Sequence, residues 1–407
     1  MSSPWRSSPK MKSLSEVFGT IPVPTGTGFW KNLRAFMGPG FLVAVGYMDP
    51  GNWATDLAGG ASVGYTLLSV ILISSIFAII LQHLALKLGV ASGRDLAQAC
   101  GDAFSKPVAI FLWLVCEIAI AACDLAEVIG SALALQLLFG IPILAGIVIT
   151  ILDVFLILYF QNKGFKVIES IVLSLLIVIV CCFAYELFIS QPSIAGILGG
   201  LVPQTSVVMN PSQLYVAIGI LGATVMPHNL YLHSSIVQTR AIKDTDEDKA
   251  KAIKYATWDS TISLGLAFFI NAGILILAAA AFHGNNLQHV ADIRDAYQLL
   301  DPVLGSQLAS ILFAVALLAS GQNATLTGTL AGQIVMEGFL DLRIAPWLRR
   351  LITRLIAIIP AFFITWIYGE SKIGELLVFS QVVLSMQLSF AVIPLVLFTG
   401  DKQKMGK

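Results

Sequence analysis

The sequence predicts an all-α integral membrane protein built as two inverted five-helix repeats, with helices 1 and 6 broken at the bilayer midplane. Three observations carry that expectation. Of 407 residues, 57% are hydrophobic and only 12% are charged, with mean hydropathy +0.84, whereas soluble chains carry about 25% charge. The apolar runs suit helices, which need about 20 residues to span, and not barrel strands, which alternate over about 10. Two of the runs hold a proline beside polar groups: Tyr47-Met48-Asp49-Pro50-Gly51-Asn52, and the stretch from Ala217 to Thr224-Val225-Met226-Pro227-His228, 177 residues further on.

Each interruption has a physical reason to unwind. An ionised Asp at the centre of a membrane helix costs roughly 2.5–3.5 kcal/mol on the mildest scale, so such a residue is read as functional. Pro50 and Pro227 have no N–H to give a helix, and Gly51 leaves helical geometry most readily. Non-helical backbone at bilayer depth survives where it lines a cavity or is buried in protein. Interrupted helices at corresponding places in two halves point to a transporter's midplane site.

The elements follow in order. Residues 1–30 are polar, with Pro and Ser and no apolar core before a cleavage site, so they read as a cytosolic tail and not a signal peptide. The first repeat covers 31–189. Its helices are expected at about 33–64, 65–88, 107–139, 143–160 and 165–189, with Gly140-Ile141-Pro142 and Gln161-Asn162-Lys163-Gly164 as turns. An extracellular loop at 190–211 has no Lys or Arg. The second repeat covers 212–400. Its helices are expected at about 213–238, 258–282, 303–337, 345–368 and 373–399, followed by a cytosolic tail at 401–407. Arg240–Tyr255, the most charged stretch, belongs in water.

Charge orients the ten spans. With the N-terminus inside, only Arg294 and Lys372 of the 24 Lys and Arg fall outside. The positive-inside rule therefore puts both termini in the cytosol of a multi-pass plasma-membrane protein. Because five is odd, the second half enters from the opposite side, which is the LeuT-type arrangement of inverted repeats. Net charge is zero with no basic block, which excludes a nucleic-acid partner. The five cysteines, Cys100, Cys116, Cys123, Cys181 and Cys182, show no CxxC spacing and read as packing residues.

The two unwound segments offer the Asp49 carboxylate, the Asn52 amide oxygen, the Met226 thioether and freed carbonyls near Gly46 and Ala223. Oxygens alone suit Mg²⁺, Ca²⁺ or Na⁺; a thioether adds a polarisable bond for Mn²⁺, Fe²⁺ or Cd²⁺. Titratable groups on helix 3 are Glu117, Cys123, Asp124 and Glu127, with Asp124 and Glu127 on one face. Acids in an apolar helix must face the bundle and need a partner, for which Arg349 and Arg350 on helix 9 are candidates. Ion pairs that merely lock helices 3 and 9 together are the alternative. His228 adjoins the site, His233 lies deeper, and Asp56 sits one turn beyond Asn52. Gln82, His83 and Asn271 read as interhelical hydrogen bonds.

Asp49-Pro50-Gly51-Asn52 and Met226-Pro227-His228 resemble the paired signatures of the Nramp family of proton-coupled divalent metal transporters, of the bacterial manganese and iron type. Gly321-Gln322-Asn323-Ala324-Thr325-Leu326-Thr327-Gly328 and Gly332-Gln333-Ile334-Val335-Met336-Glu337-Gly338-Phe339 are similar to its helix 8 signature. The resemblance implies metal ligation by Asp49, Asn52, Met226 and the Ala223 carbonyl, joined in some states by Gln381, and proton coupling between helices 3 and 9. It implies that Mn²⁺, Fe²⁺ and H⁺ are substrates, with no resident cofactor and no obligate protein partner. Family members usually have eleven or twelve helices; the ten counted here complete the five-plus-five core. A sodium-coupled amino-acid carrier of the same fold would bind a substrate carboxylate that Asp49 repels. A Mg²⁺ transporter would not use Met226, and a channel would use symmetric rings of ligands. No nucleophile–base pair suggests an enzyme.

Overall fold

The computed structural model describes residues 5, 12–14, 17–23, 28–153, 159, 163–288, 290, 292–306 and 308–405, except the side chains at 346, 350, 370 and 371. Among the described residues the secondary structure is helical, apart from one isolated parallel bridge between Ile21 and Arg240. Eight helices are long and apolar enough to cross a membrane. These correspond to helices 2, 3 and 5–10 as expected from the sequence. The first of the eight, Pro50–Ser92, runs the second half of helix 1 (Pro50–Val63) into helix 2, while the first half, Pro39–Gly46, is too short to cross alone, and the described part of helix 4 is only Ile143–Ile149 with a 3-10 turn at Thr150–Leu152. The remainder of the expected helix 4 falls largely outside the described residues.

The other spans are helix 2 (Leu68–Ser92), helix 3 (Lys106–Phe139), helix 5 (Phe165–Ser190), helix 6 (Pro211–Thr224 and Pro227–Ile236) and helix 7 (Asp246–Ala281). Helices 8, 9 and 10 are Ala309–Leu340, Pro346–Tyr368 and Ile373–Gly400. Both halves of helix 1 and both halves of helix 6 begin on proline, the first-turn position where a missing N–H costs nothing.

Several boundaries differ from expectation, each for a local reason. Helix 7 begins about twelve residues early, inside the charged connector. Thr245 caps it by accepting from the Asp248 N–H, and Asp246, Glu247 and Asp248 in the first turn favour the positive end of the dipole. The stretch before helix 8 is a separate helix, Ile293–Leu304, ended by Gly305 at φ 65°. The outer loop carries two short helices, Ile194–Gly200 and Ser206–Met209. Helix 1 is also preceded by its own short helix, Phe29–Phe36, and the chain turns at Gly38 (φ 138°). A side chain at Gly38 would meet the Glu169 carboxylate.

Helix 3 packs along helices 8 and 10, helix 7 along helices 1 and 2, and the first half of helix 6 along helix 10. Close backbone approach brings the two breaks to the centre. A methyl group at Gly130 of helix 3 would overlap Pro50, and one at Gly222 would overlap the Gln381 carbonyl.

Candidate metal site at the two helix breaks

The prolines free a matched pair of carbonyls. In an α-helix the carbonyl of Gly46 would accept from residue 50 and that of Ala223 from residue 227. Both acceptors lose their donor because both positions are proline. The carbonyls that follow in helix 1 are satisfied by side chains. The Tyr47 carbonyl accepts from Asn52 Nδ2 and from Asn271 Nδ2 of helix 7, both at 2.8 Å. The Met48 carbonyl accepts from Trp53 Nε1 at 3.2 Å and from the Ser320 hydroxyl of helix 8. The break in helix 1 is thus braced by its neighbours.

Asp49 caps the second half of helix 1, its Oδ1 accepting from the Asn52 N–H at 2.8 Å. Its Oδ2 lies 3.7 Å from the Cys123 thiol of helix 3. The Gln381 amide of helix 10 sits over Gly51, so close that any Cβ there would collide with it. Met226 packs in a small buried cluster with Cys123 and Leu384, and its sulfur accepts from Asn229 Nδ2 at 3.6 Å. Asp49, Asn52, Met226 and Gln381 are all buried.

Two buried oxygens at this point, Asn52 Oδ1 and Gln381 Oε1, have no hydrogen-bond donor among the described residues. An orphaned buried acceptor costs about 1–3 kcal/mol. Together with a carboxylate and a thioether they are donor types that a divalent cation of intermediate softness could use. No group of three or more His, Cys, Asp and Glu gathers among the described residues, so the set is a mixed one of amide, carbonyl, carboxylate and sulfur.

The 177-residue offset pairs further residues. It superposes Asp49 on Met226, each just before the proline, and Asn52 on Asn229. Asn229 is a residue that sequence reasoning missed, although the shared X-Pro-X-Asn pattern marks it. Its Nδ2 sits beside Gly46, leaving no room for a Cβ there, and its Oδ1 has no donor among the described residues.

The helix 3 acids lie beyond the site. Cys123 bridges from Asp49 to Glu127 Oε1, 3.6 Å away. Asp124 and Glu127 share one cation, but it is Arg354 and not Arg349: Arg354 Nη1 lies 3.5 Å from Glu127 Oε2 and 3.8 Å from Asp124 Oδ1. Arg354 Nη2 also reaches Asp153 of helix 4 at 3.2 Å. Arg349, five residues earlier on helix 9, pairs with Glu117 at 3.0 Å. The order of the arginines along helix 9 mirrors the order of the acids along helix 3. The side chain of Arg350 lies outside the described residues. Glycines of the helix 8 signature make room for this network, since a Cβ at Gly328 would stand 3.2 Å from Glu127 and one at Gly332 2.5 Å from Arg349.

His228 is buried with neither ring nitrogen hydrogen-bonded among the described residues. His233 belongs to another chain of contacts: its Nδ1 pairs with Gln82 Oε1 at 2.9 Å, and Gln82 Nε2 donates to the Tyr47 hydroxyl at 2.6 Å. Gln82 thereby ties helix 2 to helices 1 and 6. Asp56 is buried one turn beyond the break, its Oδ2 without a donor among the described residues.

The family model described as Nramp, natural resistance-associated macrophage protein-like, matches residues 40–407. The chain belongs to the Nramp family. It is 62% identical over 403 residues to the divalent metal cation transporter MntH of Listeria monocytogenes, covering 99% of this chain and 90% of that protein. To the MntH of Mesorhizobium japonicum it is 61% identical over 395 residues, covering 97% and 87%. Among solved structures, the manganese transporter of Eremococcus coleocola superposes with TM-score 0.89 at 45% identity, over 97% of this chain and 85% of that one. Mhp1, a nucleobase-cation-symport-1 family transporter, shares the fold at TM-score 0.59 and 17% identity, over 84% and 74% of the two chains. Like other Nramp members the chain is a multi-pass membrane transporter and not an enzyme. The inverted five-plus-five architecture is that of the LeuT-type carriers.

Proposed function

We propose that this Nramp protein imports divalent transition-metal ions, Mn²⁺ and Fe²⁺ with Cd²⁺ also accepted, by proton symport, with both termini in the cytosol. The single observation that carries the reading is the donor set at the breaks: Asp49 with the orphaned oxygens of Asn52 and Gln381 and the Met226 thioether. The freed Ala223 carbonyl is the remaining ligand. One carboxylate with neutral donors binds a divalent ion without trapping it, as a carrier requires. The substrates by which the relatives are named, divalent metal cations and manganese, support the same class.

Met226 supplies selectivity by replacing an oxygen that hard ions prefer. Met226→Ala is expected to retain Mn²⁺ uptake while letting Ca²⁺ compete roughly tenfold more strongly, a shift of about 1.4 kcal/mol. A competition assay in proteoliposomes reads it. Unchanged discrimination removes sulfur from the selectivity step.

The proton leaves Asp49 when the cation arrives and passes by Cys123 and Glu127 toward the carboxylates around Arg354. Asp124 then serves coupling more than affinity, because it touches Arg354 and neither broken segment. Asp124→Asn is expected to bind Mn²⁺ within about twofold of the parent, since it lies outside the ligand set, and to lose acid-stimulated transport. The check is proton entry, followed by a pH-sensitive dye, measured beside metal uptake. Fluxes that persist at the original ratio make Asp124 a structural partner of Arg354 only. Glu117 with Arg349, His228, His233 and Asp56 are secondary candidates on the same route.

A further inference from the structure

A cavity of about 690 Å³ opens between the Phe29–Phe36 helix, the start of helix 1 and helix 5. Nothing in the metal site reaches it. Its polar rim carries Lys31, Arg34 and Lys166 with the Ser170 hydroxyl, and its apolar wall carries Phe41 and Leu173. One carboxylate lines it, Glu169, and that is already held by Arg240 at 2.6 Å and by Lys166 at 2.8 Å. Neither Lys31 nor Arg34 has an ion-pair partner among the described residues, and both are exposed. The rim therefore keeps an uncompensated positive charge.

The surrounding residues place this rim at headgroup depth. The Phe29–Phe36 helix buries Asn32, Leu33 and Phe36 and leaves Trp30 79% exposed. Phe29 contacts Trp30 at 5.3 Å and Trp258 of helix 7 at 6.3 Å, and Trp258 is 48% exposed. A cluster of exposed aromatics at the end of transmembrane helices marks the membrane–water interface. An amphipathic helix beside it lies in the interface plane.

We infer that this cavity binds the phosphate of an anionic phospholipid from the leaflet on the side of the chain termini. Lys31, Arg34 and Lys166 hold the phosphate, and an acyl chain runs along Phe41 and Leu173 into the bilayer. The continuity of cationic rim and apolar wall selects a lipid over free phosphate, which has no use for the wall. Basic pockets between transmembrane helices recognise lipid headgroups in this way. The occupant would touch the start of helix 1 directly, because Met37 and Gly38 line the same cavity and Lys166 donates to the Met37 carbonyl at 3.4 Å.

The test is native mass spectrometry of the full chain in detergent, titrated separately with phosphatidylglycerol and phosphatidylcholine, beside thermal melting with inorganic phosphate. Phosphatidylglycerol is expected to be retained more tightly, by roughly fivefold for each contributing cation. Replacing all three cations (K31Q, R34Q, K166Q) should erase the preference. Arg34→Gln alone, at an exposed side chain, should weaken it about fivefold and guards against misfolding of the triple variant. Leu173→Trp, which fills the apolar wall and leaves every charge in place, should also cost retention. Equal retention of both lipids, or an unchanged preference in the triple variant, overturns the inference. A melting shift from inorganic phosphate equal to that from phosphatidylglycerol overturns the lipid and leaves a soluble-anion site.

Discussion

Asp49→Ala is expected to abolish Mn²⁺ binding while the protein still inserts and folds. The carboxylate is the only formal negative charge in the proposed ligand set, and it is fully buried. Truncating one partner of a buried charged contact costs about 2–5 kcal/mol, which is a loss of roughly thirtyfold to several thousandfold in affinity. The fold should tolerate the change, because Asp49 makes few internal bonds. It caps Asn52 and accepts from Cys123, and the loss of a helix cap costs only about 1 kcal/mol. Asp49→Asn separates the two effects, since its amide oxygen still caps Asn52 but carries no charge for the metal. Calorimetric Mn²⁺ titration of both purified variants gives the answer. Affinity unchanged in Asp49→Ala would remove the residue from the site.

The second large effect concerns stability and falls on Arg354. This side chain is buried and is the shared cation of Asp124, Glu127 and Asp153, on helices 3 and 4. Arg354→Gln leaves three carboxylates in the bundle without it. Breaking a buried ion pair from one side costs about 3–5 kcal/mol, and here three partners are stranded. The purified variant should show a lower unfolding midpoint, or fail to accumulate. Removing an acid as well should recover part of the loss: Arg354→Gln with Glu127→Gln is expected to be more stable than Arg354→Gln alone. A double-mutant cycle with no coupling between the two positions would show that the cluster does not act as a unit. Arg349→Gln, which strands only the partly exposed Glu117, should be milder.

The framework of helices was legible because its signals are rare. A carboxylate and a proline inside an apolar run are costly enough that little besides a site at bilayer depth retains them. The repeat of that pattern at Met226-Pro227 reveals the pseudosymmetry, and the same offset marks Asn229. The partner of Asp124 and Glu127 was not legible. Arg349 and Arg354 differ by less than two turns, and only the packing of helix 9 against helix 3 decides which of them meets which acid. The early start of helix 7 is hidden for a different reason. A charged stretch reads as a loop, although Thr245 and the three acids after it are good helix-opening residues in water. The short Phe29–Phe36 helix is hidden too, since its Phe, Trp and Leu merge with the apolar run that follows. In each of these cases what the chain touches matters more than what it contains.

The central claim, that a proton-coupled metal carrier operates at the two helix breaks, is tested most directly by labelled Mn²⁺ uptake into proteoliposomes with and without an acidic exterior. Saturable uptake that quickens when the outside is acid, with protons entering alongside the metal, is the predicted result. Uptake indifferent to the gradient, with no proton entry, would contradict it.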